Sequence, residues 1–173
     1  MKKQILDKKG IERILYRISL EILERNFDPS NLWIIGIKRR GDILAKKICE
    51  KIQSFDRRKV KTAAIDITFY RDDVKLKAYK YIVKNEIEFD IADQNIVLVD
   101  DVISTGRSIR AAIDALIDSG RPKSIQLAVL IDKGGRELPI QPDYVGEKVY
   151  VDNDSEVLVK IKEVDGEDEV LID

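Results

Sequence analysis

The chain has 173 residues, 31 Lys and Arg against 32 Asp and Glu, a net charge of -1, and a composition 44% hydrophobic and 36% charged. That length suits one domain, residues 1–173, with a true core, and the apolar content excludes a disordered polyelectrolyte. With no His and Cys49 as its one cysteine, intrachain disulfides, zinc sites and imidazole catalysis drop out, so any metal is expected to be a hard cation, magnesium first.

No apolar run approaches the ~18 residues of a membrane span. The start, Met1 to Leu6, turns polar at Asp7 and lacks the apolar core of a secretory signal. A cytoplasmic location is expected.

In chain order, Asp7 is a plausible N-cap for a helix whose stripe Ile11, Ile14, Leu15, Ile18 and Ile22 faces the core. Tyr16, Leu20 and Leu23 form a second apolar ridge, turned about 120 to 180 degrees away. After the break at Asp28-Pro29-Ser30, Leu32 to Ile37 is short and apolar enough for a buried strand. A charged turn, Lys38-Arg39-Arg40-Gly41, leads to Asp42, read as the cap of a helix carrying Ile43, Leu44, Ile48 and Ile52, in which Cys49 is a structural thiol. Val60 to Ile67 reads as a strand, followed by a polar, basic stretch.

Ile96 to Val99 is a further buried strand ending in Asp100-Asp101. Ser104-Thr105-Gly106-Arg107 then opens a helix that stops at Gly120 and Pro122, and Ile125 to Ile131 is the next strand. Shorter strands near Tyr144–Val149, Val157–Ile161 and Val170–Ile172 finish the fold at one edge.

This alternation predicts an α/β fold, a mostly parallel twisted sheet flanked by helices. The loops after its strands collect on one edge, and they are the polar, glycine-bearing ones: 38–41, 67–73, 100–108 and 132–138. A ligand crevice is expected there.

Charge is distributed unevenly. Lys38 to Lys61 holds ten basic and three acidic residues, and Tyr150 to Asp173 nine acidic and two basic. The basic stretch is either a solvated helix face or a site for an anion.

In the segment Asp100-Asp101-Val102-Ile103-Ser104-Thr105-Gly106-Arg107-Ser108, Gly106 allows a close turn, Thr105 and Ser108 offer hydroxyls, and the helix start offers free N–H groups. That is a cradle for a phosphate monoester. Two adjacent carboxylates at a strand end are costly to desolvate without a partner, and the vicinal hydroxyls of a sugar, with magnesium nearby, would satisfy them. There is no Gly-x-x-x-x-Gly-Lys-Ser/Thr and no Gly-x-Gly-x-x-Gly.

The segment resembles the phosphoribosyl-diphosphate signature of the type I phosphoribosyltransferases. Gly36 to Gly41, Ile65 to Asp73 and Gly120 to Ile140 are similar, more narrowly, to the bifunctional pyrimidine-operon regulator and uracil phosphoribosyltransferase family, PyrR, from about Ile5 to the chain end.

The resemblance implies the type I fold with a small hood of short strands. It places Asp100 and Asp101 on the ribose hydroxyls, with magnesium held mostly through substrate oxygens and water. Ser104 to Ser108 (Ser104, Thr105, Gly106, Arg107, Ser108) would hold the 5-phosphate, and Val102 and Ile103 would also be substrate-binding. Lys38, Arg39 and Arg40 would hold the diphosphate, with Arg40 joining the acidic pair in catalysis. Arg71 would begin a mobile loop, about 70–84, and Lys133 and Val157 would lie near the base. Arg39 departs from the pattern, which more often has a small hydroxyl residue there.

The implied reaction moves ribose 5-phosphate from 5-phosphoribosyl 1-diphosphate to uracil, giving uridine monophosphate. Cations on the leaving diphosphate supply the main electrostatic contribution, and loop closure excludes water.

The RNA-binding half of the resemblance is poorer. Tyr16 and Leu20 stand where the family presents threonine and histidine, and Gly135 and Gln141 replace a histidine and an arginine, while Arg17 and Arg136 remain. RNA affinity depends on cationic contacts to phosphate, so messenger binding is disfavoured unless other residues, such as Arg57-Arg58-Lys59, provide it. A regulator with nucleotide effectors, or an enzyme for another base, stays as an alternative. The exposed ridge Tyr16, Leu20 and Leu23 points to a homo-oligomer.

Overall fold

A short strand, β1 (Lys3–Leu6), opens the chain in the computed structural model, which describes residues 2–57, 59–68, 70, 90–151 and 155–173. Four residues are too few to display a period, and the sequence predicts no strand there. Asp7 then caps α1 (Lys8–Arg25) as predicted, its carboxylate accepting the Gly10 N–H at 2.7 Å. After a 3-10 turn at Pro29–Asn31, β2 (Leu32–Ile37) leads to α2 (Gly41–Phe55) and β3 (Lys61–Ile65). There follow β4 (Asn95–Ile103), α3 (Arg107–Ser119), β5 (Ser124–Asp132), β6 (Tyr144–Lys148), β7 (Val157–Lys160), the single turn α4 (Lys162–Asp165) and β8 (Glu169–Ile172). Arg71 and the expected loop lie, Tyr70 apart, outside the described residues, as does Arg58.

Five strands form one sheet in the order β3-β2-β4-β5-β6, every neighbouring pair parallel. Continuous apolar runs produce this because successive side chains alternate between faces and both faces are covered. Ile34, Val97, Val99, Ala128 and Leu130 join α1 and α2 in one cluster; Ile35, Ile96, Leu98, Leu127 and Val129 join α3 in the other. Ile34 and Ile35 are both 0% exposed, so neither face of β2 meets solvent. Cys49 is buried beside the Val60 carbonyl, consistent with a structural thiol.

The three late strands do not share one edge. β6 pairs with β5 and ends the parallel sheet, whereas β7 and β8 form a separate antiparallel sheet, order β1-β8-β7, with the N-terminal strand. This is the hood. Asp42 is not a cap either: Arg40 occupies that position, and no side chain closes the helix. The cause is backbone proximity. A Cβ on Gly41 would lie 2.5 Å from the Val99 carbonyl oxygen, so the glycine must begin the helix where α2 meets β4.

Part of the uneven charge is settled within the molecule. Lys47 Nζ lies 3.2 Å from Glu163 and 3.6 Å from Asp168, and Lys51 Nζ lies 2.6 Å from Glu12. Part of the basic face of α2 meets the acidic hood rather than solvent.

The ridge on α1 is narrower than expected. Tyr16 and Leu20 are 50% and 38% exposed, but Leu23 packs against the core. Phe55 at the end of α2 meets Tyr16 edge to face, with ring centroids 5.0 Å apart. No helix among the described residues is long and apolar enough to cross a membrane.

Candidate active site

Because the main sheet is parallel, the segments that follow β2, β3, β4 and β5 leave from the same edge. The ends of β2, β3 and β4 with the segments that follow them border a cleft of about 230 Å³ lined by Ile37 to Arg40, by Asp66 to Thr68, by Asp100 to Val102, and by Ser108. The basic turn, the acidic pair and the hydroxyl at the helix start thus share one cleft.

The turn is held close to the sheet by two glycines. A Cβ on Gly36 would stand 2.3 Å from both the Asp42 Cα and the Gly41 carbonyl oxygen, and Gly41 is equally confined by β4. The Lys38–Arg39 peptide is cis. Lys38 and Arg39 are exposed, and Arg39 forms no ion pair with a described residue. Arg40 is engaged: its Nε and Nη2 donate to the two oxygens of Asp165, each at 2.9 Å, and its Nη1 lies 3.9 Å from Asp101. Asp165 is a site neighbour that sequence reading missed, and only the acidic run around it hinted at a role.

Asp100 is 8% exposed, and its Oδ1 accepts the Asp101 N–H at 2.9 Å; Asp101 in turn accepts the Val102 N–H at 2.8 Å. Burial first, and then the Asp101 carboxylate, push Asp100 well above the ordinary carboxylate range. Asp101 is also raised by burial, with its backbone hydrogen bond and Arg40 pulling the other way. The pair is therefore poised for a cation or a hydroxyl donor. Asp66, a second residue missed by sequence, is held low chiefly by hydrogen bonds from the Thr68 hydroxyl and N–H.

Gly106, at φ +91°, sits at the N-cap of α3 with no side-chain cap, leaving helix-start N–H groups for an anion. The preceding residues are braced by the loop after β5. Ser104 Oγ donates to the Gly134 carbonyl at 3.1 Å, and the Thr105 carbonyl accepts the Glu137 N–H at 2.9 Å. Arg107 Nε meets Glu137. The Ile103 side chain is buried in the core, only 2% exposed.

Lys133, with Gly134 and Gly135, borders a second, open depression shared with Tyr150, Val151 and Ser155. Val157 is not among its walls; it lies on β7, partly buried against the core.

The two cations left on the expected RNA face are engaged within the protein. Arg17 donates to the Val145 and Gly146 carbonyls and pairs with Glu21 at 2.9 Å. Arg136 donates to the Ser104 and Ile140 carbonyls and pairs with Asp132 at 2.8 Å.

A family model described as the phosphoribosyl transferase domain matches residues 1–159. The chain is 51% identical over 172 residues to a protein named Bifunctional protein PyrR from Pelotomaculum thermopropionicum, covering 99% of this chain and 95% of the other. It is 45% identical to the protein of the same name from Halalkalibacterium halodurans, over 100% of this chain and 98% of that one. Among solved structures, a hypoxanthine phosphoribosyltransferase of Trypanosoma cruzi superposes with TM-score 0.73 at 17% identity, covering 98% of this chain and 95% of that one. The HGPRT-ase of Leishmania tarentolae in complex with GMP gives TM-score 0.74 at 13% identity, covering 99% and 96%. At those identities the likeness concerns the fold.

Proposed function

The chain belongs to the phosphoribosyl transferase domain family and, within it, to the PyrR family, and on that premise we propose that it converts uracil and 5-phosphoribosyl 1-diphosphate to uridine monophosphate and diphosphate. One observation carries the reading: the 38–40 turn lines the same cleft as the Asp100-Asp101 pair and Ser108, some sixty residues further along the chain. These match the three polar parts of the donor, which are a dense anion, a diol and a phosphate monoester.

As the bond to diphosphate breaks, negative charge gathers on the leaving group beside the exposed Lys38 and Arg39, where fixed cations lower the barrier. Asp100 and Asp101 would accept hydrogen bonds from the ribose hydroxyls and orient the sugar, while the start of α3 holds its phosphate. No side-chain nucleophile is needed.

Magnesium suits this donor set. The carboxylates of Asp100 and Asp101 are hard oxygen ligands whose mutual repulsion a dication would relieve. No group of three metal-ligating side chains occurs among the described residues, so substrate oxygens and water would complete its shell. When bound, the ion would supply neutralisation of the diphosphate. We also propose a homo-oligomer that uses or adjoins Tyr16 and Leu20.

The deciding assay is diphosphate release with a panel of bases. Turnover with uracil well above hypoxanthine, guanine and adenine supports the reading; preference for a purine overturns the base assignment, and no turnover with any base overturns the enzyme.

A second reading, a regulator that binds pyrimidine-operon messenger, is favoured by the near full-length identity to proteins named bifunctional. The internal engagement of Arg17 and Arg136 weighs against it. Titration with leader RNA at stated salt separates the two.

A further inference from the structure

The Arg40 guanidinium has a planar fork of donors, and such forks bind most strongly when two parallel bonds meet one carboxylate. Asp165 provides that partner from the far end of the chain, at 2.9 Å on both sides. The carboxylate is itself held in place, because its Oδ2 also accepts the Ile161 N–H at 2.8 Å at the entry to α4. A second contact fixes the hood to the same helix. Lys47, seven residues after Arg40 and so two turns along α2, reaches Glu163 and Asp168, and the Asp168 side chain is 4% exposed.

The fork of Arg40 is therefore occupied before any substrate arrives, and its remaining nitrogen faces Asp101 at 3.9 Å. Arg39, exposed on the same turn and lining the same cleft, is the guanidinium there without an ion pair to a described residue. We propose that Asp165 is a positioning residue that acts through Arg40: it turns that side chain into a strut between the hood and the acidic pair, sets the 38–40 turn, and leaves Lys38 and Arg39 to receive the diphosphate. The assignment rests on the phosphoribosyl-transfer reading of the cleft. It joins the diphosphate turn and the hood, 125 residues apart, into one electrostatic unit.

The test is calorimetric titration of inorganic diphosphate with magnesium into the full chain and into Asp165→Asn, Asp165→Glu, Arg40→Ala and the Arg40→Ala/Asp165→Asn double variant. Asp165→Asn is expected to weaken diphosphate binding about tenfold, the worth of one charge-assisted hydrogen bond. Asp165→Glu should restore part of that loss. The double variant should bind no more weakly than Arg40→Ala, because the two residues act in series. In turnover, KM for the phosphoribosyl donor should rise while KM for uracil stays within about twofold.

Undiminished diphosphate binding by Asp165→Asn, additive losses in the double variant, or equal rises in both KM values would overturn the proposal while leaving the enzyme reading intact. Failure of the wild-type chain to bind diphosphate would overturn both. The calorimetric arm needs no base, so it discriminates equally well if the base is not uracil.

Discussion

Arg107 Nε lies 2.6 Å from Glu137 Oε2, joining the first residue of α3 to the loop after β5. Both side chains are about half exposed, at 47% and 51%, so the pair is a weak surface bridge that a bound phosphate can replace. Arg107→Ala is expected to raise KM for the phosphorylated donor about tenfold, with a smaller effect on uracil. Glu137→Gln should leave donor binding equal or tighter. Equal weakening of both substrates by Arg107→Ala would place the phosphate elsewhere.

Asp100 and Asp165 carry opposite linkage between charge and stability. Burial raises Asp100, so its ionised form destabilises the fold; stability is complete below the ordinary carboxylate range and falls as pH climbs toward the folded value. Arg40 lowers Asp165, so its contribution is present above that range and is lost as pH falls through the folded value.

In metal-free buffer at neutral pH, Asp100→Asn should therefore melt higher than wild type, and Asp165→Asn lower. For a domain of this size, each kcal/mol corresponds to about 2–4 °C. Both differences should close in acid. Asp100→Asn and Asp101→Asn should also lose most transfer activity while remaining folded, and melting curves with the signs reversed would show the pair to be a structural brace.

Gly41 has no room for a methyl group, since its Cβ would meet the Val99 carbonyl at 2.5 Å and the Asp100 Cα at 3.1 Å, both backbone atoms. Gly41→Ala is expected to cost about 1–3 kcal/mol as overpacking and to displace the 38–40 turn. Denaturant melts and diphosphate binding should deteriorate together. A variant with wild-type stability and affinity would show that α2 can retreat from β4 without consequence.

Tyr16 and Leu20 leave apolar area in solvent on a face where Phe55 already packs against Tyr16. Leu20→Glu is expected to shift the sedimentation profile toward smaller species if this face joins copies of the chain. An unchanged profile would remove the ridge from the interface. The same samples, titrated with pyrimidine leader RNA, should show no tight sequence-selective binding, and nanomolar selective binding would restore the regulator reading.

The sheet and the chemistry of its loops were legible in the chain itself. Leu32–Ile37, Ile96–Val99 and Ile125–Ile131 read as buried strands because a parallel strand covered on both faces is apolar along its core, and the last two extend in the fold to Asn95–Ile103 and Ser124–Asp132. The acidic pair and Ser104 to Ser108 were visible because a strand end and the following helix start are adjacent in sequence.

What tertiary structure alone decided is long range. β1 finds β8 across nearly the whole chain, Leu23 packs inward, and Arg40 takes Asp165 as its partner. The basic stretch offered a solvated face or an anion site, and the fold put an acidic hood against part of it. Hydrophobic period and helix caps are written by neighbours within a few residues. An ion pair across 125 residues leaves no such period, because only the folded path of the backbone brings its two charges together.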